Sequence, residues 1–144
     1  FFCIQEINIG MAADVGTLQR LPKIIPDSKM REMAYTGRRM YAPESKETGL
    51  VSDVYESQEA MLSAANDLAK EIASKSPVAI YGLKAVMNYS RDHSVSDGLD
   101  YNALWSGAML SQKDMAEAMT ANMEKRDASF NELVDVKKFN ESKS

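Results

Sequence analysis

Apolar and polar positions along the chain change their period from one stretch to the next. From Phe1 to Ile9 the alternation reads as a strand, with Phe2, Ile4 and Glu6 on one side, ending at Gly10. After a glycine-punctuated turn, Thr17-Leu18-Gln19-Arg20-Leu21 predicts a short helix interrupted by Pro22 and Pro26. Asp27 is then placed to cap a helix through Tyr35, with Met30, Met33 and Ala34 on its buried stripe. Pro43 opens another helical turn, Gly49 closes it, and Leu50 to Tyr55 reads as a second short strand. From Ser57 onward the period is helical: Met61, Ala65, Leu68 and Ile72 recur at spacings of four, three and four. Ser76-Pro77 begins the next helix, to about Tyr89. Ser94 caps a third, with Leu99, Ala103, Trp105 and Leu110 giving it a broad apolar surface, and Ser111 caps a fourth, with Asp114 three residues later. The tail beyond Phe130 is polar and is expected to fray.

The pattern divides the chain into a mixed piece over 1–56 and a helical region with a polar tail over 57–144, without an internal repeat. Taken alone it predicts a mainly helical protein with two or three strands. Composition adds limits: 144 residues suffice for one core-bearing domain, and 44% hydrophobic with 26% charged residues is ordinary globular usage. A net charge of −4 provides no basic face for nucleic acid, and no apolar run is long enough for a membrane span. The single Cys3 excludes an internal disulfide, and one His with one Cys argues against a zinc site, so no metal is expected. Phe1, Phe2 and Cys3 are expected in a buried strand.

Chemistry concentrates between Gln5 and Pro22, where Glu6 and Asp14 stand eight residues apart in an otherwise apolar stretch. A carboxylate deprived of hydration becomes a candidate general acid or base, and two facing one substrate could relay a proton. The residue types leave a plainer alternative open: Glu6 as an exposed strand residue and Asp14 as the cap of the helix that follows.

The run from Gly10 to Lys23, Gly-Met-Ala-Ala-Asp-Val-Gly-Thr-Leu-Gln-Arg-Leu-Pro-Lys, resembles the active-site segment of the crotonase superfamily, and within it the delta(3,5)-delta(2,4)-dienoyl-CoA isomerases. Thr36-Gly37-Arg38-Arg39-Met40, Gly49-Leu50-Val51-Ser52, Ser74 to Ala79 and Tyr89 to Val95 follow in family order. The resemblance covers nearly the whole chain, and Asp14 is its discriminating position, since enoyl-CoA hydratases typically carry glycine there.

The resemblance implies an α/β crotonase-like spiral fold, of which 1–56 supplies the last strands and turn of the ββα spiral and 57–144 a helical oligomerisation region, trimeric or hexameric. It implies a dienoyl-CoA isomerase of fatty acid β-oxidation, in the peroxisome or mitochondrion, without metal or redox cofactor because the CoA thioester is itself the substrate. An enoyl-CoA hydratase and an inactive helical oligomerisation fragment are the alternatives. It assigns catalysis to Glu6, near the thioester carbonyl, and Asp14, at the remote end of the diene. Met11 and Ala12 are candidates for the acyl pocket, and Phe130 with the preceding Lys125-Arg126 resembles a C-terminal segment that meets the adenine end of CoA, the aromatic stacking on adenine and Lys or Arg meeting its phosphates. The chain begins without methionine and reads as the C-terminal part of a longer protein, whose oxyanion hole would lie upstream; the stretch alone is expected to be inactive. His93 is expected to hydrogen-bond at a helix boundary, and the ten methionines to serve core and subunit interface.

Overall fold

In the computed structural model, which describes residues 1–133, the N-terminal stretch pairs only once. Phe2 and Met40 exchange N–H···O bonds of 2.8 Å each, an isolated antiparallel bridge. The chain then coils into a 3-10 turn, Glu6–Ile9, closed by Gly10. The strand expected over residues 1–9 is therefore not formed, nor is the one over 50–55, which is bend and loop; the described residues contain no strand. The reason is pairing. An alternating stretch becomes a strand only where neighbours complete its ladder, and here Met40 alone faces it. The buried environment expected for Phe1 and Phe2 is corrected with it: they are 68% and 44% exposed. Phe1 instead lies beneath the Arg39 guanidinium, 4.2 Å from its ring centre, and beside Tyr41. The half-buried Cys3 thiol donates to the Gly37 carbonyl at 3.0 Å.

Two units divide the chain, Phe1–Ser63 and Ala64–Ser144. In the first, α1 (Thr17–Arg20) runs into a 3-10 turn at Leu21–Lys23, where Pro22 removes an N–H that a helix would need. Helix α2 (Asp27–Thr36) starts directly after Pro26. Asp27 is its first residue and not its cap; its carboxylate accepts from Arg31 Nε at 2.6 Å, one turn on. Gly37 ends α2 at φ 62°, a conformation that favours glycine, and a Cβ there would stand 2.5 Å from the end of the Asn8 side chain, which would have to move aside. Helix α3 (Ala42–Glu47) carries Pro43 in its first turn. Ile4, Ala13, Leu21, Ile25, Met30, Met33 and Met40 close into one core, with Leu18, Ala34 and Leu50 packed against it. Met33 and Met40 are the most enclosed, at 1% and 0% exposure.

Serine starts every long helix that follows. The Ser57 hydroxyl accepts from Ala60 N–H at the head of α4 (Gln58–Ala73), and Ser76 from Ala79 N–H at the head of α5 (Pro77–Ser90). Ser94 and Asp97 form a reciprocal capping box on α6 (Val95–Met109), and Ser111 accepts from Asp114 N–H on α7 (Gln112–Glu124). Within the second unit α5 and α6 pack closely, because Gly82 leaves space for the Trp105 ring. His93 sits at the corner between them as expected, its Nδ1 2.7 Å from the Tyr89 carbonyl and its ring stacked on Tyr89, which stacks in turn with Tyr101. The apolar stripe of α4 stays open among the described residues: Met61, Leu68 and Ile72 remain 45–59% exposed, and the helix buries no residue. Among the described residues no helix is long and apolar enough to cross a membrane.

Candidate active site

The segment carrying both candidate carboxylates wraps one end of the first unit's core. Glu6 opens the 3-10 turn and is half-buried; its carbonyl accepts from Met11 N–H at 3.0 Å, which folds the segment back on itself. Asp14 is exposed in the loop before Gly16. Gly16, at φ 91°, is the residue preceding α1, and no side chain caps that helix. The plainer role left open for Asp14, helix capping, is thus not one it performs. Among the described residues neither carboxylate has a side-chain hydrogen bond or ion pair, unlike Asp27, Glu44, Asp53 and Asp97, which all do.

Between the two carboxylates in sequence, Met11, Ala12 and Ala13 line a cavity of about 290 Å³ whose other walls include Ile4, Ile7, Leu18, Ala34 and Tyr35. A small apolar space with a few polar groups at its edge is the ordinary form of a ligand pocket. One cation reaches it. Arg31, which sequence reasoning did not single out, lines the cavity while engaged with Asp27 and, at 3.4 Å, the Tyr35 hydroxyl. Asp27, Arg31 and Tyr35 stand four residues apart, a spacing that would have identified the trio as one face of α2.

Beneath this segment a second charged group ties its supports together. Arg38 donates to both oxygens of Glu44, at 2.6 and 2.8 Å, and its Nε lies 2.9 Å from Glu32. Hydrogen bonding to Glu44 holds the guanidinium charged and lowers the Glu44 carboxyl below its ordinary range. Arg38 thus joins α2 to α3. Although a basic pair in a turn is usually solvated, the bidentate bond holds the Arg38 side chain at 26% exposure.

The second unit holds a larger cavity, about 550 Å³, between the start of α5, the end of α6 and the length of α7. Val78, Trp105, Met109, Leu110 and Met115 make it apolar, and Ser76 and Asp114, hydrogen-bonded to each other, join the heads of α5 and α7 at its wall. Phe130 closes one side and is half-buried. Lys125, its partner in the sequence reading, does not line this cavity; it takes the left-handed conformation that ends α7, at φ 54°. Two cations stand at the wall, Lys75 and Arg126, and the Arg126 guanidinium donates to both oxygens of Glu117 at 2.6 and 3.1 Å and to Glu124 at 2.6 Å. Arg126 first, and the Ser129 N–H at 2.8 Å next, lower the Glu117 carboxyl to about 2. The pair is nine residues apart across a chain reversal, a spacing that no helical rule would select.

Residues 1–133 match the enoyl-CoA hydratase/isomerase family. The chain belongs to that family. Similar to it within the family are proteins named delta(3,5)-delta(2,4)-dienoyl-CoA isomerase: a mitochondrial one from Mus musculus, 52% identical over 88% of this chain, a mitochondrial one from Homo sapiens, 48% over 92%, and a peroxisomal one from Arabidopsis thaliana, 44% over 92%. The chain spans 39%, 42% and 48% of these relatives' lengths, so it corresponds to less than half of each. Among solved structures, an enoyl-CoA hydratase from Mycobacterium tuberculosis superposes with a TM-score of 0.83 at 31% identity, over 90% of this chain and 51% of that one. One from Mycobacterium marinum superposes with a TM-score of 0.81 at 30% identity, over the same 90% and 51%. The fold is that of the enoyl-CoA hydratase/isomerase family, and the described residues are its largely helical part.

Proposed function

We propose that this member of the enoyl-CoA hydratase/isomerase family acts as a delta(3,5)-delta(2,4)-dienoyl-CoA isomerase. The observation that carries the reading is the 44–52% identity to relatives of that name. Asp14 caps no helix and has no side-chain partner among the described residues, which suits it to the second proton transfer that distinguishes the isomerase from a hydratase. In the reaction Glu6, near the thioester carbonyl, removes a proton from the carbon beside it. The electron pair moves into the conjugated system, and Asp14 delivers a proton at the far end of the diene, so both double bonds shift and no atom is gained or lost. A single side chain cannot span several bonds, which is why two separated carboxylates suit the task. Met11 and Ala12, on the wall of the 290 Å³ cavity, would contact the acyl chain. Lys125 and Phe130 would meet the adenine end of CoA, the aromatic by stacking and the ammonium by its charge.

The same reading assigns residues 1–56 to the end of a ββα spiral and the helices to oligomerisation as a trimer or hexamer, with no cofactor beyond the CoA of the substrate. It places the protein in a mitochondrion or peroxisome, the compartments in its relatives' names. The hydratase alternative draws on the solved structures, which carry that name at 30–31% identity. One assay separates the two. Full-length protein is given a 3,5-dienoyl-CoA and, separately, a trans-2-enoyl-CoA, and the conjugated 2,4-diene and the 3-hydroxy product are followed. We expect diene formation to dominate; hydration without isomerisation would overturn the reading.

A further inference from the structure

Residues 125–133, the described part of the chain after α7, have no regular structure, yet they place an aromatic ring on a cavity wall. Lys125 in the left-handed conformation lets Arg126 N–H reach the Ala121 carbonyl at 3.0 Å and Lys125 N–H the Asn122 carbonyl, the two bonds of a Schellman cap. The chain is thereby turned back along α7, toward Glu117. That one carboxylate then holds both ends of the returning stretch. Its two oxygens take the Arg126 guanidinium, and one of them also takes the Ser129 N–H, immediately before Phe130. Apart from Glu124, which binds Arg126 at its near end, no other side chain is bonded to these residues among those described. Glu117 is half-buried, in the second turn of α7, and the helix fixes its position.

We propose that Glu117 is a positioning residue for substrate: by clasping Arg126 and Ser129 together it holds Phe130 in place to receive the nucleotide end of the CoA thioester. The inference rests on the assignment of Phe130 to CoA made above. The clasp acts through preorganisation. A stretch already held in its binding conformation loses less freedom when substrate arrives, and binding is tighter for that reason. Because the bonds are local to α7 and its return, the clasp should affect the binding of the nucleotide end and leave the proton transfers between Glu6 and Asp14 untouched.

The test uses the full-length protein with Glu117→Gln, Glu117→Ala and Phe130→Ala, and two substrates: a 3,5-dienoyl-CoA and the same acyl group on N-acetylcysteamine, which lacks the nucleotide. We expect Glu117→Ala to raise KM for the CoA thioester about tenfold, with kcat changed by less than about twofold, and Glu117→Gln, which keeps one acceptor, to fall between. With the truncated thioester the two Glu117 variants should match the parent. If Phe130→Ala raises KM for the CoA thioester and neither Glu117 variant does, the clasp is overturned and the assignment of Phe130 stands. If Phe130→Ala changes nothing, the assignment falls and takes the inference with it. Equal losses on both substrates from Glu117→Ala and Glu117→Gln would show a general structural role and overturn positioning. Direct titration of CoA thioester onto the same variants gives the Kd series if the protein binds the thioester without isomerising it, so the activity and the clasp are judged separately.

Discussion

At the scale of single residues, two carboxylates of opposite character make the case. Asp14 touches no donor among the described residues and Glu117 touches three. An acid with no structural bonds can be changed at little cost to the fold, so its substitution reports on chemistry. Asp14→Asn should therefore leave stability and CoA binding in place while diene isomerisation falls by about 10²- to 10⁴-fold, the usual loss for a general acid or base. Glu6→Gln should impair the same reaction. The double variant should be little worse than either single one because the two act as a unit; retention of full isomerase activity by Asp14→Asn would sink the assignment. Glu117 predicts a pH effect. Its carboxyl is lowered from 4.5 to about 2 by Arg126 and Ser129, so its contribution is complete above about pH 4.5 and is lost as pH falls toward 2. Trp105, the only tryptophan, lines the cavity that Phe130 closes and can report it. Its fluorescence should hold steady down to about pH 4.5 and change below that in the parent. In Glu117→Gln the change should be absent or displaced; superimposable curves would show that the clasp does not control the wall.

At the scale of elements, the α5–α6 pair depends on a missing side chain. A Cβ on Gly82 would stand 2.3 Å from the Trp105 ring, whereas a Cβ on Gly107, in α6 itself, would meet nothing within 4 Å. Both are glycines inside helices, where alanine is intrinsically better by up to about 1 kcal/mol. At Gly107 that gain is free of a penalty, so Gly107→Ala should stabilise by about 0.5–1 kcal/mol. At Gly82 the overlap costs about 1–3 kcal/mol and wins. Denaturant unfolding of the two variants should move in opposite directions; a shared sign would mean that Trp105 does not pack where the structure has it. The serine caps were legible because their bonds lie within three or four residues; the reciprocal box formed at Ser94–Asp97 and not at Ser111–Asp114, whose carboxylate bonds Ser76. The two expected strands were not, because what makes an alternating segment a strand is the neighbour beside it, and Phe2 has only Met40.

At the scale of the molecule, the decisive feature is apolar surface left open among the described residues. Leu68 of α4 is 59% exposed, Leu99 and Leu104 of α6 are 64% and 75%, and Met119 and Met123 of α7 are 65% and 74%. Surface of this kind is covered by other protein more often than by water. The 144-residue chain should self-associate at micromolar concentration, and light scattering should report a mass well above its 16.0 kDa; a sharp monomer would count against the oligomerisation assigned to the helices. The methionines illustrate how the scales separate. The sequence placed them in core and interface together. Met30, Met33 and Met40 are enclosed, while Met119 and Met123 stand on an open face, and helical spacing alone could not sort one group from the other. What the sequence by itself determined was local: helix starts, the glycine turns, the motif that carries Glu6 and Asp14, and through that motif the family. Tertiary structure alone decided which alternating segments found a partner, that Asp14 caps no helix, that Arg38 joins α2 to α3, and that Glu117 reaches across a chain reversal to Arg126 and Ser129. Bonds within one turn of a helix follow from the order of residues, whereas these depend on where the chain returns in space.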